Sequence, residues 1–138
     1  MQRIGSITSM ILFVCWLLFA GPFLAAIDPA QGVIDIIADR DNRFKVPKQK
    51  EPTITVRARE VVILRIVARR ALEWDKDGAV HSFTIPALKD QGWDLRLKEG
   101  TQQFPVVAPA QPGEYVVECS VKCGKGHDDM KLKLVVTP

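Results

Sequence analysis

Two cysteines, a histidine and a methionine lie within one short segment near the C-terminus. The segment reads CSVKCGKGHDDM and places Cys119, Cys123, His127 and Met130 at the spacing C-x3-C-x3-H-x2-M. Thiolate, thioether and imidazole groups are ligands that copper prefers, and a Cys/His site with a weak axial Met recurs in copper electron transfer. The segment therefore predicts a copper site.

The pair of cysteines also bears on the number of metal ions. A single copper needs only one thiolate, whereas two cysteines four residues apart could each bridge two ions. The chain has one other histidine, His81, which lies on an earlier predicted strand, so His81 and His127 would be terminal ligands on different ions. Met130 would be the weak axial ligand of one copper, and the main-chain carbonyl of Val121 could serve the other.

Two other uses of these residues remain open. A disulfide between Cys119 and Cys123 is the simplest, because an exported domain meets oxidising conditions, but it leaves the histidines and the methionine unexplained. A structural zinc site would use two cysteines and two histidines in a tetrahedral shell and would leave Met130 unused. Copper is favoured because it alone uses the methionine and the β-rich setting together.

Eight short apolar runs supply the elements that must position these residues. They are rich in Val, Ile and aromatic residues and are separated by turn signals such as Asp77-Gly78 and Pro112-Gly113. They predict a two-sheet antiparallel sandwich of the Greek-key type, because a single sheet could not cover its own apolar face. The runs cover residues 33–38, 53–58, 61–68, 80–85, 93–97, 104–108, 114–119 and 131–136.

The N-terminal segment has a different character. Residues 7–27 form an uncharged stretch of 21 residues, long enough as a helix to cross a hydrocarbon core about 30 Å thick. We predict a transmembrane anchor or uncleaved signal over residues 1–27, with a cleaved signal peptide as the alternative. Because Arg3 precedes the stretch, the N-terminus is expected in the cytoplasm. Residues 28–138 are then a single domain on the periplasmic or extracytoplasmic side of the inner (plasma) membrane.

Length and charge limit the function classes. The chain has 138 residues and a net charge of +3 without a long basic block, so nucleic acid is not an expected partner. The part after the apolar stretch is large enough for one core but too small for a separate catalytic domain beside it. A large multi-step enzyme is therefore excluded, and whether the protein counts as an enzyme stays open.

Three segments together resemble a known family. HSF at 81–83, PGEY at 112–115 and CSVKCGKGHDDM at 119–130 resemble the CuA-type cupredoxin domain of cytochrome c oxidase subunit II, which also occurs in nitrous oxide reductase. The likeness covers about residues 33–137 and implies a cupredoxin sandwich or barrel with a mixed-valence pair of copper ions. The ligands that it implies are the side chains of His81, Cys119, Cys123, His127 and Met130 and the carbonyl of Val121. Family members usually have an acidic or amide residue where Val121 stands.

The resemblance also implies a role and partners. It predicts a membrane-anchored electron-transfer subunit that accepts electrons from a cytochrome c-like donor and passes them to the haem-copper catalytic subunit of a terminal oxidase. The single predicted anchor is more like the short, single-anchor forms of the family. A copper-binding chaperone and an auxiliary cupredoxin subunit of another membrane oxidoreductase are the alternatives.

Overall fold

Two β-sheets make up the part of the chain that the computed structural model describes, residues 32–138. The four-stranded sheet has the order β2-β1-β4-β7 and consists of β1 (Val33–Ala38), β2 (Phe44–Lys45), β4 (Val61–Ala68) and β7 (Gly100–Val107). The five-stranded sheet has the order β3-β9-β8-β5-β6 and consists of β3 (Thr53–Arg57), β5 (His81–Thr84), β6 (Asp94–Leu97), β8 (Gly113–Glu118) and β9 (Lys131–Thr137).

Alternating side chains build the core between the sheets. In β9, Leu132 and Leu134 are buried whereas Lys131 and Lys133 are exposed, and β4 alternates in the same way. Successive side chains of a strand point to opposite faces, so each sheet offers one apolar face to the other. The largest fully buried side chains include Trp93, Phe83, Ile36, Leu64, Ile66, Leu97 and Met130.

The predicted strands are all present, but their pairing differs from the expectation. The structure adds a ninth strand, β2, and extends the predicted run at 104–108 towards its N-terminal side as β7. The expectation of an antiparallel sandwich is wrong for two pairs, because β1 pairs with β4 and β3 pairs with β9 in parallel. Parallel neighbours need a crossover connection. Here the chain passes from β1 through β2 and through β3 of the other sheet before it returns as β4.

The pairing of β5 with β8 decides where the metal-binding residues meet. These strands are antiparallel, with Thr84 opposite Glu118. Continuing that register places His81, the first residue of β5, level with Val121 in the loop from β8 to β9. The isolated histidine and the cysteine segment therefore come together at one end of the sandwich.

Helical structure is sparse in the described part of the chain. Between residues 32 and 138 it consists of two short 3-10 turns, Pro86–Gln91 and His127–Asp129. No helix within that range has the length and apolar character needed to cross a membrane. The predicted anchor over residues 1–27, and the domain boundary at residue 28, lie outside the described residues.

Candidate metal centre

The loop between β8 and β9 carries all but one of the predicted ligands. It is closed at its base, where the Cys119 amide donates to the Met130 carbonyl at 3.3 Å. The His127 amide donates to the carbonyl of Gly124 at 3.1 Å, which starts the turn His127–Asp129. Gly126 precedes this turn with φ of 93°, a left-handed conformation that a side chain disfavours. The loop is thus tightly folded and anchored at both ends on paired strands.

The two cysteine sulfurs face each other without being bonded. Their Sγ atoms are 3.9 Å apart and both residues are free thiols, whereas a disulfide requires about 2.0 Å. A metal ion about 2.3 Å from each of two sulfurs needs them no more than about 4.6 Å apart. The separation therefore allows both sulfurs to bind the same ion. Cys119 is 5% exposed and Cys123 is 0% exposed, so the pair is shielded from water.

His81 lies beside these sulfurs and has a ring nitrogen without a hydrogen-bond partner in the described part of the chain. Its ring is fully buried, and Nε2 lies 2.9 Å from the carbonyl of Arg69. A carbonyl can only accept, so Nε2 carries the ring proton and Nδ1 is left with a lone pair. Nδ1 is buried and has no hydrogen-bond partner within residues 32–138. The donor atoms of His81, Cys119 and Cys123 all lie within 4.8 Å of one another.

A buried lone pair without a partner is costly, and a metal ligand removes that cost. Histidine ligands commonly donate their second ring nitrogen to a carbonyl, which fixes the tautomer and the ring orientation. The bond from His81 to Arg69 has this form. The residues therefore fit a metal ion that takes thiolate and imidazole ligands.

The remaining predicted ligands surround this cluster. Nδ1 of His127 lies 3.6 Å from the sulfur of Cys123, and the carbonyl oxygen of Val121 lies 3.3 Å from the sulfur of Cys119. Met130 is fully buried, in the same hydrophobic cluster as both cysteines. His127 is only partly buried. The structure therefore brings His81, Val121 and His127 close to the two cysteines and places Met130 at the base of the loop. Their roles as ligands stay predictions.

The two thiols shift each other's pKa in opposite directions. The hydrogen bond from the Cys123 thiol lowers the pKa of Cys119 to about 4, although burial opposes this shift, and the Ser82 amide, 3.4 Å from the sulfur, lowers it further. The hydrogen bond with Cys119, together with burial, raises the pKa of Cys123. Metal ions bind cysteine as thiolate, so metal binding at this pair would release protons.

Two residues that hold the centre escaped the sequence-based prediction. The amide of Asn42 donates to the carbonyls of Cys123 and Lys125, and the backbone of Arg69 accepts from His81. The residues around Asn42 are typical of turns, so a turn at this position was predictable. The residues that Asn42 contacts lie some eighty positions further along the chain, and no local pattern identifies them.

The outer side of the loop is accessible. A depression of about 320 Å³ is lined by Glu73, Lys122, Gly124, His127 and Asp128. Beside it, Leu72 is 83% exposed although it packs close to Gly124, where an added Cβ would lie 3.7 Å from the Leu72 Cβ. The edge of the centre at His127 is therefore open to a partner molecule.

Comparison with known proteins gives the fold. No family model matches the sequence, and neither does any curated protein. Among solved structures, a chain of a haem-copper terminal oxidase dimer aligns with a TM-score of 0.55 and 18% identity over 95% of this chain and 79% of that one. Auracyanin B aligns with a TM-score of 0.50 and 21% identity over 80% and 91% of the two chains. The multicopper oxidase Fet3p aligns with a TM-score of 0.52 and 14% identity over 78% of this chain and 23% of that one.

These likenesses, together with the sheet order, define an all-β protein with the cupredoxin fold, as predicted. At such low identities the fold is what they share. The metal, the number of ions and the partners depend on the chemistry of the loop residues themselves.

Proposed function

We propose that this domain holds a pair of copper ions and carries electrons one at a time between two protein partners. The observation that supports this most directly is the position of buried His81: one of its ring nitrogens lies within 4.8 Å of two unbonded sulfurs, and its Nδ1 has no hydrogen-bond partner within residues 32–138. Thiolate and imidazole are soft and borderline ligands that suit copper. The cupredoxin fold adds to this support, since a haem-copper oxidase chain and auracyanin B share it.

We infer two ions from the number and arrangement of the donor residues. A histidine lies close to each cysteine. His81 lies beside both Cys119 and Cys123, and the Nδ1 atom of His127 lies 3.6 Å from the Cys123 sulfur. The two sulfurs are close enough to bind a common ion, and with a histidine on either side the residues would hold a pair of copper ions. Val121 and Met130, at the two sides of the loop, would supply the weaker ligands.

The chain's own residues suit this role by keeping the centre rigid and dry. Bound copper would supply a one-electron carrier. The hydrogen bond between Cys119 and Met130 closes the loop, and the carbonyl of Arg69 fixes the ring of His81. Fixed ligands change little when an electron arrives, which keeps the reorganisation small, and burial excludes water that would otherwise have to reorient.

We propose the haem-copper catalytic subunit of a terminal oxidase as the electron acceptor and a cytochrome c-like protein as the donor. This rests on the family resemblance of the ligand segment and is supported by the fold shared with the haem-copper oxidase chain. The partly buried His127 and the exposed side chain of Leu72 form an edge that such a partner could contact. Apolar contact with a polar rim is typical of protein interfaces.

We also propose that the domain is held at the outer face of the inner (plasma) membrane by a single-pass anchor within residues 1–27. The uncharged stretch 7–27 supports this. Protease added to intact spheroplasts should then remove the copper domain and leave a membrane-bound fragment. A domain that is protected until the membrane is dissolved would contradict this orientation.

The central experiment is copper reconstitution of the full chain in mild detergent. We expect two copper ions per chain by elemental analysis, an intense visible absorption, and an electron paramagnetic resonance spectrum split by two equivalent copper nuclei. Cys123→Ser should abolish the two-nucleus pattern. Cys15→Ser is the matched control, because it removes the cysteine that lies outside the loop, and it should leave the spectrum unchanged.

Other outcomes would overturn the proposal. A single copper per chain, or a two-nucleus spectrum that survives Cys123→Ser, would refute the bridging role of the cysteines. A colourless Cu(I) form that readily yields its metal to a chelator would identify a copper chaperone instead. Preferential binding of zinc without redox activity would identify a structural site.

A further inference from the structure

The turn between β1 and β2 lies against the metal-binding loop. It spans residues 39–43, and its backbone is closed by bonds from the Asp39 amide to the Arg43 carbonyl and from the Asn42 amide to the Asp39 carbonyl, each 3.0 Å. Asn42 has a left-handed backbone with φ of 55° and is 3% exposed. Asparagine tolerates this conformation better than most residues. Its side chain is thus directed inward from a tight turn.

The side-chain amide of Asn42 spans the metal-binding loop. Nδ2 donates to the carbonyl of Lys125 at 2.8 Å and to the carbonyl of Cys123 at 3.2 Å. Both partners are acceptors, so the nitrogen must face the loop and both of its protons are used. The oxygen of the same amide is buried without a hydrogen-bond partner in the described part of the chain. The two hydrogen bonds to the loop therefore fix the orientation of the amide, and this orientation leaves the amide oxygen without a partner among the described residues.

Neighbouring residues of the turn contact the other parts of the centre. The guanidinium of Arg43 donates to the carbonyl of Asp129 at 3.1 Å, in the 3-10 turn that begins at His127. On the other side, the carboxylate of Asp39 lies 3.3 Å from the guanidinium of Arg69, whose carbonyl holds His81. Residues of this one turn thus contact the 3-10 turn that carries His127, the residue whose carbonyl binds His81, and the carbonyl of Cys123.

We propose that Asn42 is the positioning residue of the metal centre: its amide keeps the segment from Cys123 to Lys125 folded and so fixes where the Cys123 sulfur and the His127 ring stand. The metal part of this inference rests on the proposed copper function. The loop part does not, because the hydrogen bonds of Asn42 join protein groups only.

The loop part is tested on the metal-free protein by thiol labelling. The Cys123 sulfur is buried, so alkylation requires the loop to open. Asn42→Asp keeps the shape of the side chain but replaces the donor by a carboxylate that repels both carbonyls. Loss of two hydrogen bonds should raise the opening equilibrium, and hence the labelling rate of Cys123, by roughly tenfold or more. Peptide mass spectrometry measures this rate at Cys123 itself.

Two further variants separate the side chain from the backbone turn. Asn42→Gly removes the amide while favouring the positive φ, and it should also accelerate labelling. Lys48→Gly is the matched control, because Lys48 is an exposed turn residue with φ of 66°, and its labelling rate should equal that of the original chain. Circular dichroism confirms that each variant is folded.

Copper loading gives the second measurement. Asn42→Asp should still bind copper, but with a shifted visible absorption and altered copper hyperfine splitting, whereas Lys48→Gly should change neither. Unchanged labelling in both Asn42 variants would overturn the inference, as would an unchanged spectrum in copper-loaded Asn42→Asp. If the unaltered chain binds no copper while labelling still accelerates in the variants, the proposed function fails. The role of Asn42 in keeping the loop folded is then still supported.

Discussion

Replacing Asp39 by Asn should destabilise the domain at neutral pH and much less in acid. Asp39 is a largely buried carboxylate at the end of β1, where Lys45 and Arg69 contact it at 2.6 Å and 3.3 Å. The hydrogen bond from Lys45 is the main reason that the pKa of Asp39 falls from 3.8 to about 2. A carboxyl whose pKa is lower in the folded state stabilises that state above its unfolded pKa, and the contribution disappears as the pH falls through the folded value.

The expected loss of stability can be worked out from the lowered pKa. A pKa that falls from 3.8 to about 2 on folding corresponds to about 2.4 kcal/mol in the free energy of unfolding at neutral pH. Lys45 and Arg69 have side chains that are 44% and 48% exposed, so solvent screening reduces the expected loss in Asp39→Asn to about 1 kcal/mol. In a domain of about 100 residues this lowers the melting temperature by roughly 4–8 °C. At pH 3, midway between the two pKa values, about half of the difference should be gone.

Thermal unfolding of the metal-free protein, followed by circular dichroism at pH 7 and pH 3, measures this. Asp35→Asn is the matched control, because Asp35 lies on the same strand and pairs with Arg65, but both side chains are 45% exposed. Its melting temperature should change much less. A difference between Asp39→Asn and the original chain that stays constant or grows on acidification would refute the assignment of the stabilisation to a charged Asp39.

Two further predictions concern the scaffold and the loop. Leu64→Ala, at a fully buried site in β4, should lower the free energy of unfolding by about 2–5 kcal/mol in urea titrations, and a loss under about 1 kcal/mol would contradict the packing described. Gly126→Ala should cost about 1–2 kcal/mol because its φ is 93°. Gly32→Ala, at an exposed position outside the strands, should cost nothing measurable, and equal effects of the two glycine substitutions would refute the backbone argument.

The strands were predictable because their signal is local. Alternation in the run 131–136 determines which side chains of β9 face the core, and the structure confirms it. Alternation says nothing about which strand lies alongside, so the parallel pairs β1–β4 and β3–β9 were missed. The two-residue strand β2 is too short to show an alternation of apolar and polar residues. Its pairing depends on the turn before it, and that turn is shaped by contacts with a distant loop.

The same division between local and distant signals holds at the metal centre. The spacing from Cys119 to Met130 specifies the donor types, and the meeting with His81 requires only that β5 pair with β8. The orientation of each donor depends instead on groups without any chemical signature in the sequence, namely the carbonyl of Arg69 and the amide of Asn42. Hydrogen bonds of this kind join segments through the fold, so only the three-dimensional arrangement identifies them.

The centre and the hydrophobic core are parts of one packed unit. Cys119, Cys123 and Met130 belong to the same buried cluster as the core strands, so packing against the core helps to hold these side chains in place. This arrangement leaves the Nδ1 of His81 buried without a hydrogen-bond partner within residues 32–138, which is costly in an apolar setting. Metal binding would give that nitrogen a partner. Occupancy of the centre should therefore stabilise the whole sandwich, and the rigidity that suits electron transfer would come at the expense of stability in the metal-free protein.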